Sequence, residues 1–140
     1  MKIQESAENY LETILILSQR QPYVRSIDIA AELEFSKPSV SVAMKNLRQN
    51  DLIIMNEDGH ISLTPSGLAI AAKMYERHTL ISRMLMRLGV NEKTAVEDAC
   101  RIEHVISEES FEALKTHIAM FNAHNSDDKG NNTSNSKHGR

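Results

Sequence analysis

The apolar residues of this chain recur mainly at the three- and four-residue spacing of an α-helix. Between residues 6 and 19 they form one broad face, made by Tyr10, Leu11, Ile14, Leu15 and Leu17. This spacing predicts a first helix that ends before Gln21-Pro22, since the residue before a proline disfavours helical geometry. The same periodicity predicts a mainly α chain.

Residues 26–63 have the pattern of a winged helix. The spacing of the apolar residues predicts one helix over Ser26–Leu33 and another from Lys37 to Asn50, with a three-residue turn at residues 34–36. Two short helices joined by such a turn form a helix-turn-helix. Two strand candidates, residues 52–55 and 60–63, then lie on either side of an Asp-Gly pair, which is a hairpin signal. The hairpin is the expected wing.

Three further helices are predicted after the wing. A long helix opens at residues 64–67 and ends at Gly89, a second is capped by Asn91, and a third carries Phe111 and Phe121. From Ala123 onwards there is no large apolar residue, which predicts disorder. We therefore expect a winged-helix domain at 1–64, a second, helical domain at 65–122 and a disordered tail at 123–140.

The composition indicates the kind of compartment and the kind of partner to expect for this protein. A single cysteine among 140 residues excludes an internal disulfide framework and fits a reducing cytoplasm. No signal peptide and no membrane span are predicted. The net charge is −3, but residues 20–50 contain five basic and three acidic residues, a local charge of +2. A charge contrast between segments is more informative than the total.

The second helix of the helix-turn-helix is the expected DNA-reading element. Such a helix fits the major groove, where small polar and apolar side chains contact base edges while cations bind phosphates. A winged helix that binds another protein is the alternative, but the small, polar and basic surface of this helix favours DNA. The candidate contacts are Arg25, Ser36, Lys37, Pro38, Ser39, Ser41, Val42, Lys45 and Arg48.

Three potential metal ligands occur together in the penultimate helix. Cys100, Glu103 and His104 share one face at offsets of three and four. Thiolate, carboxylate and imidazole are ligand types of transition metals. The alternative is a solvated face, with a core face made by Ala99, Ile102, Val105 and Ile106 on the other side.

The order of these features resembles the diphtheria-toxin-repressor family of metal-dependent repressors, from about Glu8 to Phe121. The motifs that carry the resemblance are the Ala-Cys-Arg-Ile-Glu-His-Val-Ile-Ser segment at 99–107, the Arg-His pair at 77–78 and the Leu-Thr-Pro-Ser-Gly segment at 63–67. The size resembles the short, two-domain manganese branch rather than the longer iron regulators with a third domain.

The resemblance implies that residues 1–64 form a DNA-binding domain and residues 65–122 a metal-binding and dimerisation domain. It also implies roles for individual residues. Cys100, Glu103 and His104 match the primary metal site, His78 matches a ligand of a second site, and Glu12 matches a carboxylate that helps bridge two metals. Asn9 departs from the family, which has Met or Asp at that position, and it is the weakest ligand candidate. Ser82 and Val96 replace ligands of the longer type.

The expected function is metal-dependent repression of metal-homeostasis genes by a homodimer at a palindromic operator. A thiolate favours softer ions, so Fe²⁺ is the expected corepressor, with Mn²⁺ a close alternative. The dimer surface is expected to use Leu85, Met86, Val90 and Phe111. A different hypothesis is a thiol sensor in which oxidation of Cys100 releases DNA. An enzyme is not expected, since no nucleophile motif, phosphate loop or zinc-protease signature occurs.

Overall fold

The computed structural model describes the backbone of residues 2–135 and the side chains of residues 5–123. Its elements are α1 (Lys2–Arg20), α2 (Ser26–Leu33), α3 (Lys37–Gln49), β1 (Ile53–Met55), β2 (Ile61–Leu63), α4 (Pro65–Arg87), α5 (Glu92–Val105) and α6 (Glu108–Asn135). This is the predicted fold class, mainly α with one small hairpin. Within the described residues, no helix combines the length and the apolar character that a membrane crossing needs.

The chain forms two compact units, Met1–Thr79 and Leu80–Arg140. The division lies inside α4, whereas the hydrophobic pattern placed a domain boundary at residue 64. The first half of α4 belongs to the first unit because Ala71 is part of the same buried cluster as Leu11 of α1 and Ile53 of β1. A continuous helical pattern does not reveal where along a helix the packing partner changes.

The first unit contains the predicted helix-turn-helix. Helices α2 and α3 bury Ile29 and Val40 in one core. Between the helices, Glu34 adopts a left-handed conformation with φ 56°, and the Phe35 amide donates to the Ala30 carbonyl at 3.1 Å. Ser36 then caps α3, since its hydroxyl accepts from the Ser39 amide at 3.3 Å. These contacts fix the short turn that the sequence predicts.

Strands β1 and β2 pair antiparallel, with Ile53 opposite Leu63 and Met55 opposite Ile61. The connecting turn is organised by Asn56, whose side-chain oxygen accepts from the amides of Asp58 at 3.0 Å and His60 at 2.9 Å. Such bonds are typical of an Asx turn. The hairpin is the predicted wing, but its turn spans five residues and depends on Asn56 as well as on the Asp-Gly pair.

The junction between the wing and α4 explains the Thr-Pro-Ser-Gly segment. The Thr64 hydroxyl accepts from the Gly67 amide at 3.1 Å, which caps α4, and donates to the Asp51 carbonyl at 2.7 Å. The Thr64 amide donates to the Leu52 carbonyl at 3.1 Å. A Cβ at Gly67 would overlap the Leu52 carbonyl oxygen and lie 3.0 Å from the carbonyl carbon. Glycine is therefore required here by a close backbone approach.

The second unit follows the predicted breaks. Gly89 ends α4 at φ 101°, the Asn91 side chain caps α5 by accepting from the Lys93 amide at 2.9 Å, and the Ser107 hydroxyl accepts from the Ser110 amide at 3.1 Å at the start of α6. Helix α6 runs to Asn135, beyond the predicted end near Phe121. Residues 136–140 of the predicted disordered tail lie outside the described residues.

One residue expected at the dimer surface is placed differently. Phe111 is 4% exposed within the single chain, so the structure contradicts its prediction as a surface residue. Its aromatic ring is a core side chain of the second unit. Met86 is exposed, and Leu85 and Val90 are half-buried, so these three stay available for a dimer contact.

Candidate metal centre and DNA-binding surface

Glu103 is the most unusual residue of α5. It continues the buried row of Ala95 and Ala99, at spacings of four, and is only 1% exposed. Val105, which the solvated-face alternative assigned to the core, is instead 70% exposed. The alternative is therefore wrong for these two positions, and α5 buries its carboxylate.

Two other potential ligands lie beside Glu103. Its Oε1 is 3.3 Å from Nε2 of His104, and the two side chains are 1% and 11% exposed. The Cys100 sulfur lies within 4.8 Å of a Glu103 carboxylate oxygen, and Cys100 is exposed. The thiol of Cys100 and the imidazole of His104 thus each lie close to the Glu103 carboxylate.

This donor set fits a divalent transition metal. Burying a carboxylate is costly unless it is paired or coordinates a metal. A metal ion would bind the ionised carboxylate, the neutral imidazole and the deprotonated thiol, which are ligand types of Fe²⁺, Co²⁺ and Zn²⁺. Mn²⁺ prefers oxygen and imidazole ligands, which Glu103 and His104 also provide.

The remaining metal-ligand candidates belong to the first unit. Glu12 lies on α1 and is 5% exposed. His78 lies on α4 and is half-buried. Asn9 is also half-buried, and its backbone carbonyl accepts from the Thr13 hydroxyl at 2.8 Å.

Carboxylates are crowded along α1. Burial raises the pKa of Glu8 above its ordinary value, and the nearby charges of Glu5 and Glu12 act in the same direction. The cations Arg77 and Lys73 of α4 oppose this effect. A cation bound near Glu12 would therefore reduce a repulsion already present in this unit.

The predicted DNA-contacting residues are all exposed: Arg25, Ser36, Lys37, Pro38, Ser39, Ser41, Val42, Lys45 and Arg48. Helix α3 buries Val40, Met44 and Leu47, so its opposite side is free to enter a groove. Val42 is 62% exposed, and its aliphatic side chain suits contact with a thymine methyl group. The Ser36 hydroxyl also donates to the Ser39 hydroxyl at 2.7 Å, so these two serines have a structural role in capping.

Sequence reasoning missed three residues beside Arg25. Its Nη2 lies 3.2 Å from Nε2 of His60, and the His60 ring stacks on Tyr23 with centroids 4.3 Å apart and planes at 17°. The Asn56 amide nitrogen lies 3.4 Å from Nδ1 of His60. No motif signals this cluster, because His60 is 35 residues from Arg25 in the chain.

Two sequence models of known protein domains match consecutive parts of the chain. Residues 2–61 match the sequence model of the iron dependent repressor N-terminal DNA binding domain, and residues 64–129 match that of the iron dependent repressor metal binding and dimerisation domain. The boundary between the matches lies near the predicted residue 64, whereas the packing boundary lies at Thr79.

Individual relatives are transcriptional regulators. The chain is 30% identical over 116 residues to the HTH-type transcriptional regulator MntR of Geobacillus thermodenitrificans, covering 83% of this chain and 82% of that protein. It is 34% identical over 111 residues to the transcriptional regulator MntR of Escherichia coli O6:H1, covering 79% and 72%.

A solved structure described as that of the manganese regulator SloR aligns with a TM-score of 0.73 and 31% identity. The match covers 81% of this chain and 53% of the SloR chain, so this protein spans about half the length of that structure. With both domain matches and these relatives, the chain belongs to the diphtheria-toxin-repressor family of metal-dependent transcriptional repressors.

Proposed function

We propose that divalent metal activates this protein as a repressor, with Cys100, Glu103 and His104 as the primary ligands and Glu12 and His78 as further ligands. Asn9 is the least supported ligand of the set. The observation that carries the proposal is Glu103, a carboxylate 1% exposed with His104 Nε2 at 3.3 Å and the Cys100 sulfur within 4.8 Å. A buried carboxylate among soft and borderline ligands is better explained by a metal than by packing.

Fe²⁺ is the favoured corepressor and Mn²⁺ the close alternative. The thiol of Cys100 supports Fe²⁺, because sulfur ligands shift preference towards softer ions. The relatives named above support Mn²⁺, since SloR is described as a manganese regulator. Because Cys100 is exposed whereas Glu103 is buried, a site that uses mainly the carboxylate and imidazoles would suit Mn²⁺.

Metal acts as corepressor through its differential affinity for the DNA-competent conformation. In the homodimer, the two α3 helices enter the major groove at two half-sites of a palindromic operator. The exposed side chains of Ser41, Val42 and Lys45 contact bases and phosphates, and Arg48 binds phosphate. The metal-bound form of the dimer would hold α3 of each protomer at the spacing of the half-sites.

The test is an anaerobic titration with Fe²⁺ or Mn²⁺ in which DNA binding is the readout. The probe is a duplex selected from random-sequence DNA by the metal-loaded protein. Wild-type affinity should rise with metal, and Glu103→Gln should lose most of that rise. Glu97→Gln is the matched control, because Glu97 is an exposed carboxylate of the same helix and should respond as the wild type does.

Equal DNA affinity with and without either metal would overturn the proposal. Circular dichroism of metal-free Glu103→Gln separates a lost ligand from a lost fold, because only a folded variant keeps the helical spectrum and the thermal transition of the wild type. The selected duplex also shows whether the operator is a palindrome, and the ratio of the Fe²⁺ and Mn²⁺ midpoints decides between the two corepressors.

The thiol-sensor hypothesis is less favoured. Reactive cysteines lie in electropositive surroundings that stabilise the thiolate, whereas the Cys100 sulfur lies within 4.8 Å of a carboxylate oxygen. Cys100→Ser should therefore keep a response to metal, and peroxide should have little effect on DNA binding by the wild type. A loss of DNA binding after peroxide treatment in the wild type alone would favour the thiol sensor.

A further inference from the structure

Arg77 occupies a buried position of α4. The buried positions of this helix in the first unit are 67, 71, 74 and 77, at spacings of four, three and three, and Arg77 is only 5% exposed. Ala71 of this row belongs to the same core cluster as Leu11 and Ile14 of α1, so the row faces a core that α1 also lines. A guanidinium keeps its proton in proteins, and burying such a charge is costly unless an opposite charge lies nearby.

Carboxylates of α1 lie close to Arg77. After burial, the Arg77 charge is the strongest influence on the pKa of Glu8 and acts to lower it, whereas the charge of Glu12 acts to raise it. Glu8 and Glu12 are four residues apart and therefore share one face of α1. Among the described residues of the first unit, the buried charged side chains are Glu12 and Arg77. This unit thus combines carboxylates of α1 with a buried guanidinium of α4.

Arg77 also directly precedes His78, one of the proposed metal ligands. Because the two residues are neighbours in one helix, a metal ion held by His78 would lie within about 10 Å of the guanidinium. We propose that Arg77 is the counter-ion of the Glu8 and Glu12 carboxylates in the metal-free protein, and that its positive charge limits the affinity of the site for divalent metal. The inference rests on the proposed roles of Glu12 and His78. Arg77 itself binds no metal and acts through its charge.

The charge of Arg77 has opposite effects on the two states of the site. In the metal-free state it offsets the repulsion between Glu8 and Glu12, and so it stabilises the folded first unit. In the metal-bound state it repels the ion. Charges of +1 and +2 about 10 Å apart change a binding constant by about fourfold in water, and by more where solvent is partly excluded. Arg77 therefore raises the metal concentration at which the repressor becomes active.

The first experiment measures the Mn²⁺ affinity of the full-length protein by calorimetry. Arg77→Gln should bind Mn²⁺ at least about fourfold more tightly than the wild type, because the repulsion between the guanidinium and the ion is removed. Arg77→Lys keeps the charge and should bind as the wild type does. Arg20→Gln is the matched control: Arg20 also pairs with a carboxylate, that of Glu32 at 3.0 Å, but it is exposed, so its replacement should leave the Mn²⁺ affinity unchanged.

Equal or weaker Mn²⁺ binding by folded Arg77→Gln would overturn the proposal, because a residue that only orients ligands weakens binding when it is removed. If Arg77→Gln fails to fold, Glu8→Gln and the double variant Glu8→Gln/Arg77→Gln make the same comparison. The double variant removes both charges of the pair, which is less destabilising than removing one. It should bind Mn²⁺ at least about fourfold more tightly than Glu8→Gln, and equal affinities would again overturn the proposal.

Thermal unfolding in the presence of a chelator tests the counter-ion role without metal. Removing one member of a buried ion pair is strongly destabilising, whereas removing both members costs less. Metal-free Arg77→Gln should therefore melt roughly 10 °C below the wild type, and the double variant Glu8→Gln/Arg77→Gln should melt above Arg77→Gln. A double variant that melts at or below Arg77→Gln would show that Arg77 is not the counter-ion of Glu8.

Failure of this inference and failure of the proposed function give different results. If metal does not raise the DNA affinity of the wild type, the proposed function is wrong, and the Mn²⁺ affinities and metal-free melting temperatures still decide the role of Arg77. If Arg77→Gln binds Mn²⁺ no more tightly than the wild type, the role of Arg77 is wrong, and the response of wild-type DNA binding to metal is unaffected.

Discussion

Replacing Gly67 by alanine tests whether the junction between the wing and α4 requires a glycine. An alanine Cβ would overlap the Leu52 carbonyl oxygen, which belongs to the backbone and has no rotamer to adopt. The start of α4 must therefore move away from the segment that leads into β1. Three hydrogen bonds depend on that approach: Thr64 amide to Leu52 carbonyl, Thr64 hydroxyl to Asp51 carbonyl, and Gly67 amide to Thr64 hydroxyl.

The expected cost follows from these bonds. Each contributes about 1 kcal/mol to the free energy of unfolding, so their loss costs about 3 kcal/mol. Alanine is favoured over glycine in a helix by about 1 kcal/mol, which offsets part of that loss. A net destabilisation of about 2 kcal/mol results, which corresponds to a fall in Tm of roughly 8 °C for a chain of this size.

The assay is thermal and urea unfolding followed by circular dichroism, with Ser66→Ala as the control. Ser66 is the exposed neighbour in the same helical turn, and its replacement should change the free energy of unfolding by less than about 0.5 kcal/mol. A Gly67→Ala protein that melts at or above the wild-type temperature would refute the reasoning. A Cβ that overlaps a backbone atom can be accommodated only if the backbone moves, and such a movement lowers the free energy of unfolding.

Three further predictions follow from the site and the caps. Metal at 100 times its dissociation constant should stabilise the wild type by about 2.7 kcal/mol in thermal unfolding, and removal of the metal by a chelator should reverse this stabilisation. Glu103→Gln should be stabilised much less. Equal stabilisation of the variant and the wild type would exclude Glu103 as a ligand. Since burial raises the pKa of Glu8 above 4.5, the folded state binds this proton more tightly than the unfolded state and loses stability as pH rises from 4.5 through the folded-state pKa. Urea unfolding should therefore show the stability of Glu8→Gln relative to wild type increasing from pH 4 to pH 7, and a constant difference would contradict the shift. Ser36→Ala removes the α3 cap and should cost about 1 kcal/mol, whereas Ser41→Ala, in the exposed middle of α3, should be close to neutral; equal effects would mean that the cap contributes nothing.

The sequence determined the secondary structure and the chemistry of the candidate ligands. Helical spacing identified the six helices because a half-buried helix repeats its apolar positions every 3.6 residues. The capping residue Asn91 marked the start of α5, since a cap is a local interaction. Offsets of three and four placed Cys100, Glu103 and His104 on one face for the same local reason.

Only the tertiary structure decided which positions are buried and which distant residues meet. Glu103 is buried and Val105 is exposed, the reverse of what side-chain polarity alone suggests. The packing of α4 moved the boundary between the compact units to Thr79, and the pairing of Val24 with Ile61 brought Tyr23 and Arg25 to His60. Such outcomes depend on contacts between segments far apart in the chain, and periodicity within one segment carries no information about them.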